Sequence, residues 1–161
     1  MQYDINNIDL RGKMDFNLSR CSLIEQLKDN FGCSLPEYES FVLKYGAAEI
    51  ANMIRVYAPD EILKQYEEFR ERWNTYYHWG DSESALEDDE LQECFPIAYT
   101  FNGDEFIFKP GEKRGIYVLP RNEDIVYYAG QDLSDLINFA MLSGKLFDLN
   151  EYYNGNPPTQ L

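Results

Sequence analysis

The chain has few residues that could carry out nucleophilic or acid–base catalysis. His78 is its one histidine, and it lies in the aromatic segment Tyr76-Tyr77-His78-Trp79. Nucleophilic catalysis by serine or cysteine usually needs a general base and a group that orients that base. A lone histidine among aromatic side chains more often packs or forms hydrogen bonds than acts as a catalyst. The sequence therefore does not predict catalysis of this kind.

Metal, phosphate and glycosidase sites are not indicated either. The spacing of Cys21, Cys33 and Cys94 matches no zinc module, and the acidic run at residues 87–90 lacks the glycine and the spacing of a calcium loop. No glycine-rich phosphate loop is present. A hydrolase that uses a carboxylate pair remains an alternative, but no pair can be selected from 29 acidic residues. We expect no catalytic residues, no metal and no cofactor.

Acidic side chains are the unusual chemical feature of the chain, and many of them lie in one segment. The net charge is −15, from 14 lysines and arginines against 29 acidic residues. Between Arg72 and Lys109 there are nine acidic residues and no basic one, whereas residues 109–121 are net positive. A surface of this sign repels phosphate backbones and anionic membranes. The charge pattern predicts no direct contact with nucleic acid or membrane, and it favours a partner with a basic surface.

The acidic segment also contains tyrosines and a tryptophan, which are residue types that often anchor protein interfaces. A solvated charge run and ordinary core packing are the alternative interpretations of these residues, and both stay open. The predicted partner-binding residues are the aromatic and acidic side chains Tyr76, Tyr77, Trp79, Asp81, Glu83, Glu87, Asp88, Asp89, Glu90, Asp104 and Glu105.

A chain of 161 residues, 44% of them hydrophobic, is long enough to form one domain with a sizeable core. We expect a single domain over residues 1–161, with its core at about 20–142 and a mobile tail at 154–161. The three widely spaced cysteines predict no disulfide framework, and no signal peptide or membrane span is evident. The expected location is the cytoplasm, and the oligomeric state is not indicated.

Helices are predicted in the first half of the chain. Ser22 and Glu25 have the spacing of a capping box, which predicts a helix start, and Gly32 predicts its end. A second helix is expected from Pro36 to Gly46. The first 17 residues favour a short edge strand or an ordered arm.

The next segments alternate between strand and helix. The apolar stretch at residues 49–57 predicts one strand. A third helix is expected to begin at Pro59, with Ile62, Tyr66, Phe69 and Trp73 on its inward face. Residues 74–94 are acidic and loosely patterned, and no element is predicted there.

A run of strands then follows. Alternation from Phe95 predicts a strand, and Asn102-Gly103 predicts a two-residue hairpin turn after it. Further turns at 110–111 and 120–123 extend this to a four-strand meander. A last helix is expected between Asp132 and Gly144. The predicted fold class is α+β, a mainly antiparallel sheet packed by about four helices.

The order of these elements resembles the SUKH superfamily, which includes the fungal cell-wall synthesis regulator of the Smi/Knr type and many bacterial immunity proteins. The resemblance covers about residues 20–142. It rests on Leu35-Pro36, Lys44-Tyr45-Gly46, Ile54 and Val56, Phe95-Pro96-Ile97-Ala98 and Asn102-Gly103-Asp104. The chain departs from the family at Ala47-Ala48, where a second glycine is frequent, and in its acidic segment, which looks like an insertion.

The resemblance implies an immunity protein that binds and neutralises a cognate toxin, often a nuclease, without catalysis. A nuclease must present cations to hold phosphates, so an acidic protein can occupy or flank that surface. We therefore expect occlusion of a basic, nuclease-type toxin domain. The alternative is a regulatory or scaffolding protein-interaction module of the fungal type.

Overall fold

A computed structural model describes residues 10–11, 18–50, 53–76 and 83–146. In these ranges, seven strands form one antiparallel sheet in which each strand pairs with the next one along the chain. The strands are β1 (Leu10–Arg11), β2 (Glu49–Ile50), β3 (Ile54–Val56), β4 (Phe95–Thr100), β5 (Glu105–Lys109), β6 (Gly115–Leu119) and β7 (Tyr127–Gly130). The helices are α1 (Leu18–Phe31), α2 (Pro36–Tyr45), α3 (Pro59–Tyr76), α4 (Asp88–Leu91) and α5 (Leu133–Leu142). The predicted α+β class and the meander of β4 to β7 are confirmed.

Helix α1 begins earlier than the capping box predicts. It starts at Leu18, so Ser22 lies inside the helix and the cap predicted there is wrong. The turn that precedes Ser22 contains no proline or glycine that would stop a helix. The predicted end is confirmed, because Gly32 has φ +64° and its N–H donates to the Lys28 carbonyl at 2.7 Å.

Helix α2 has the predicted bounds and is fastened to the sheet. Pro36 lies in its first turn, and the N–H of Gly46 donates to the Val42 carbonyl at 2.9 Å. On its buried face, the Tyr38 hydroxyl donates to the Tyr57 carbonyl at 2.7 Å, just beyond β3. This bond joins the helix to the strand region from the core side.

The single strand predicted at residues 49–57 is wrong, because the chain reverses within it. Ile50 pairs with Ile54, and Glu49 pairs with Arg55, in an antiparallel β2–β3 hairpin. The Met53 N–H donates to the Ile50 carbonyl at 3.0 Å across the reversal. Two short strands therefore share the apolar pattern, which explains its imperfect alternation.

Helix α3 buries the predicted aromatic face. Ile62, Phe69 and Trp73 are buried, and Tyr66 is half-buried. The apolar face of α3 therefore packs on the protein core, as its helical spacing predicts.

None of the described helices is long and apolar enough to cross a membrane.

The turn between β4 and β5 has three residues, not two. The N–H of Gly103 donates to the Thr100 carbonyl at 2.9 Å, and the Thr100 N–H donates to the Asp104 carbonyl at 2.9 Å. Gly103 has φ +97°, but Asn102 does not have the positive φ that a two-residue turn of the predicted type requires. The loop consists of residues 101–103, and this places Phe101 at its tip.

The acidic segment reaches the edge of the sheet at β7. The Val126 N–H, just before β7, donates to Ser84 Oγ at 3.0 Å, and the Ala85 N–H donates to the Val126 carbonyl at 2.8 Å. Free strand edges are templates for unwanted pairing between molecules. Residues 84–85 therefore cover the beginning of this edge.

Helix α5 has the predicted bounds, and its N-terminus is capped by carboxylates. Its inward residues Leu133, Leu136, Ile137 and Ala140 are buried, as predicted. Asp132 Oδ1 accepts the Asp135 N–H at 3.0 Å, and Glu37 Oε1 accepts the Ser134 N–H at 2.7 Å. Burial, with a contribution from the nearby Asp132 charge, raises the pKa of the Glu37 carboxyl. This arrangement joins α2 to α5.

Removing the cap of α5 should measurably destabilise the fold. We expect Asp132→Ala to lower the free energy of unfolding by about 1 kcal/mol, the usual contribution of an N-cap side chain. Asp132→Asn keeps an oxygen acceptor and should retain most of that stability. Urea denaturation of both variants tests this, and equal losses in the two would contradict the capping role.

Candidate protein-binding surface

Part of the acidic segment is helical, where the sequence predicts no element. Helix α4 follows Glu87, and its third residue Glu90 reaches back to accept the Glu87 N–H at 2.8 Å. This reach is the one that the third residue of a capping box makes. Leu91 is buried below the turn. The signal that could have predicted this turn is Glu90, which stands three residues after Glu87 and is followed by the apolar Leu91.

Basic residues from the neighbouring hairpin hold α4 in place. Lys113 Nζ lies 2.8 Å from Glu90 Oε1, and its hydrogen bond lowers the pKa of the Glu90 carboxyl. Lys109 Nζ lies 2.6 Å from Glu93 Oε2, and the Lys109 side chain is only 3% exposed. Two of the basic residues in the range 109–121 therefore form ion pairs with the acidic segment. The two regions neutralise each other on their facing sides.

Helix α3 holds α4 from another direction. Arg70 Nη2 donates to Gln92 Oε1 at 2.6 Å, and Gln92 Nε2 donates to Asn74 Oδ1 at 2.9 Å. The Tyr66 hydroxyl donates to the Cys94 carbonyl at 3.2 Å. Residues 90–94 are thus fixed between α3 and the sheet.

The outward side of this segment carries exposed carboxylates. We call Glu83, Glu87, Asp88 and Asp89 the acidic turn; all four residues are exposed. Among the residues that the structure describes, no basic side chain forms an ion pair with Asp88 or Asp89. The acidic turn therefore presents negative charge to solvent from a backbone that is held in place.

Asp104 and Glu105 are not part of that surface, and their assignment to partner binding is corrected. Both residues are only 5% exposed. Glu105 accepts hydrogen bonds from Arg72 Nη2 and Trp73 Nε1, which attach α3 to β5. Asp104 holds the β4–β5 turn from inside. Glu105 lies on β5, which is buried along its whole length, and Asp104 directly precedes this strand.

The other predicted residues have different positions. Glu90 is half-buried and paired with Lys113, so it supports the acidic turn from behind. Tyr76 is the last residue of α3. Tyr77, Trp79 and Asp81 lie outside the described residues, as does His78.

The cysteines and acidic side chains of the described residues are the remaining groups that could carry chemistry. They include no group of three His, Cys, Asp or Glu side chains that could hold a metal ion. All three cysteines are free. Burial raises the pKa of the Cys94 thiol to about 12, which is far from what a reactive cysteine needs.

Substitution of Glu105 should change stability rather than partner recognition. Glu105→Ala leaves the buried Trp73 N–H without its acceptor and Arg72 without its carboxylate. We expect a loss of about 3 kcal/mol in the free energy of unfolding, the usual cost of breaking a buried pair. The exposed Glu112→Ala, also in the meander, is the matched control and should change it by less than about 0.5 kcal/mol. Similar losses in both denaturation curves would contradict the structural role of Glu105.

Alkylation of Cys94 should report whether α4 stays packed. At a pKa of about 12, only about one Cys94 thiol in 10,000 is ionised at pH 8, and the thiolate is the reactive form. Iodoacetamide should label the exposed Cys21 in the native protein and should label Cys94 only after unfolding. Peptide mass spectrometry measures both rates, and equally fast labelling would contradict the packed junction of α4 with β4.

Comparison with known protein families agrees with the observed order of elements. The family model described as SMI1 / KNR4 family (SUKH-1) matches residues 20–138, which run from α1 into α5 and include the whole meander. No curated protein and no solved structure gives a significant match. Domains of the SUKH-1 type are known as immunity protein domains. The match confirms the resemblance to the Smi/Knr type, and the chain belongs to the SMI1 / KNR4 family (SUKH-1).

Proposed function

We propose that this chain is an immunity protein that binds a cognate bacterial toxin and neutralises it by covering its surface, without catalysis. The observation that carries the proposal is the acidic turn, a set of exposed carboxylates on a fixed backbone. Membership in the SUKH-1 family supports the immunity role. The sign of the charge supports a basic partner, and the proposed place of binding is the cytoplasm.

A nuclease-type toxin domain fits this surface best. Such a domain must present lysines and arginines to the phosphates of its substrate. The carboxylates of the acidic turn are the side chains that those cations would bind in place of phosphate. Once the complex forms, the bulk of the immunity protein keeps nucleic acid away from the basic surface. This mechanism inhibits the toxin without any reaction.

The supports of α4 favour tight binding. Ion pairs from Lys109 and Lys113 and hydrogen bonds from α3 fix residues 90–94 before any partner arrives. A surface that is already ordered loses little conformational entropy on association. Lys109 and Lys113 offset the charges of Glu93 and Glu90, so within this segment the charge offered to a partner comes from the acidic turn.

Charge reversal in the acidic turn should slow toxin binding. We expect Asp88→Lys with Asp89→Lys to reduce the association rate constant about tenfold at low salt, because electrostatic steering of this size is common. The slope of the rate against ionic strength should also become shallower. Surface plasmon resonance at several salt concentrations, with the toxin domain encoded by the neighbouring gene, measures both quantities.

The control for this test must change the net charge equally. Asp29→Lys with Glu68→Lys alters two exposed residues, on α1 and α3, by the same total charge. This variant should keep most of the association rate. Equal slowing by both pairs would show that net charge alone matters and that the partner docks elsewhere. Absence of any complex, together with no protection on co-expression, would favour the regulatory or scaffolding alternative.

A further inference from the structure

The tip of the β4–β5 hairpin presents an exposed aromatic ring. Phe101 is 53% exposed, and its ring touches that of Tyr99 in an edge contact with centroids 6.2 Å apart. Single exposed hydrophobic residues are common on protein surfaces, so exposure alone does not indicate a function. The way in which the fold holds this residue is the informative observation.

The backbone of the tip is bonded on both sides. The Phe101 N–H donates to the Met53 carbonyl at 3.0 Å, beside β3, and the Gly103 N–H donates to the Thr100 carbonyl at 2.9 Å. Loop tips generally face solvent and move more than the strands they connect. This tip is instead tied to the neighbouring hairpin, so the position of the ring is set by the sheet.

A buried carboxylate holds the tip from beneath. Asp104 Oδ2 accepts from the Thr100 hydroxyl at 2.6 Å, and Asp104 Oδ1 accepts from the Arg121 N–H at 2.9 Å. Burial of a carboxylate is costly without such bonds, and no described basic side chain forms an ion pair with Asp104. Hairpin turns of three residues do not in general need a buried carboxylate beneath them. Asp104 therefore holds the tip in place at the energetic cost of a buried carboxylate.

Arg121 completes the tip. Its Nη1 donates to the Asn102 carbonyl at 3.1 Å, and a Cβ built on Gly103 would lie 3.0 Å from Arg121 Cδ, so the arginine stem lies over the glycine. Arg121 is exposed, and only one of the five N–H donors of a guanidinium is needed for this bond. The tip thus presents both an apolar ring and a cation, although the protein as a whole is strongly acidic.

We propose that Phe101 is the apolar anchor of the toxin interface and enters a pocket whose rim carries oxygen acceptors for Arg121. This inference rests on the proposed function and names a second contact for the same partner. Rigid aromatic and arginine side chains contribute most of the binding energy in many interfaces. A cation at the tip fits carboxylate or carbonyl oxygens on the toxin, whereas the acidic turn fits its cations. The acidic turn speeds association, and Phe101 slows dissociation.

The dissociation rate tests the anchor. With the full chain and the toxin domain encoded by the neighbouring gene, Phe101→Ala should raise the dissociation rate constant at least about tenfold. The association rate and its salt dependence should stay unchanged. Leu142→Ala removes a similarly exposed hydrophobic side chain (48%) from the end of α5, and it should alter neither rate. Thermal unfolding should show that both variants are as stable as the unaltered chain, because neither side chain is buried.

The outcomes separate this inference from the proposed function. If Phe101→Ala dissociates at the unaltered rate while Asp88→Lys with Asp89→Lys still slows association, the anchor is overturned and the immunity function stands. If the unaltered chain binds no toxin, both are overturned. Phe101→Leu, which keeps an apolar side chain, should dissociate at an intermediate rate, and a rate equal to that of alanine would contradict insertion into an apolar pocket.

Discussion

The burial of β5 is the constraint on which the other elements depend. This strand begins with a carboxylate, Glu105, and ends with an ammonium group, Lys109, and all five of its residues are buried. An unpaired charge in such a position costs several kcal/mol, so each end of the strand needs a partner from outside the sheet. Helix α3 supplies Arg72 and Trp73 at one end, and the segment after α4 supplies Glu93 at the other. Two helices are thereby fixed by one strand.

The same constraint divides the acidic residues into two groups. Glu105, which is buried, and Glu93, which is exposed, bond to groups of the fold, whereas the carboxylates of the acidic turn face solvent. An acidic protein that kept all of its charge outside would repel itself and would have no internal contacts to order its acidic segment. Here the carboxylates that bond to the fold provide the order, and those of the acidic turn provide the field. The large net charge is therefore compatible with a rigid surface.

Local signals in the sequence predict much of the fold but little of the site. Gly32, Pro36 and Gly46 mark helix ends correctly, because a left-handed glycine or a first-turn proline acts on the adjacent backbone alone. Ser22 fails, since whether a serine caps a helix depends on the residues before it. The acidic residue at 105 looked like surface, because a sequence shows alternation along a strand and not which faces of the sheet are covered. Arg72 and Trp73, which bond to Glu105 in the core, come from a helix more than thirty residues earlier in the chain.

The order of the strands has a consequence for how the protein forms. Each of the seven described strands pairs with the next one in sequence, so none of them must wait for a later strand to be inserted between it and its partner. Four of these pairings join strands separated by a short connection, whereas β1–β2 and β3–β4 join strands that lie on either side of helices. Local pairings form faster than those that need distant segments to meet. The chain can add strands as it leaves the ribosome, with the first hairpins in place before the last helix is made. In the proposed role, a cell is protected only once this protein has folded, and a sequential sheet shortens that interval.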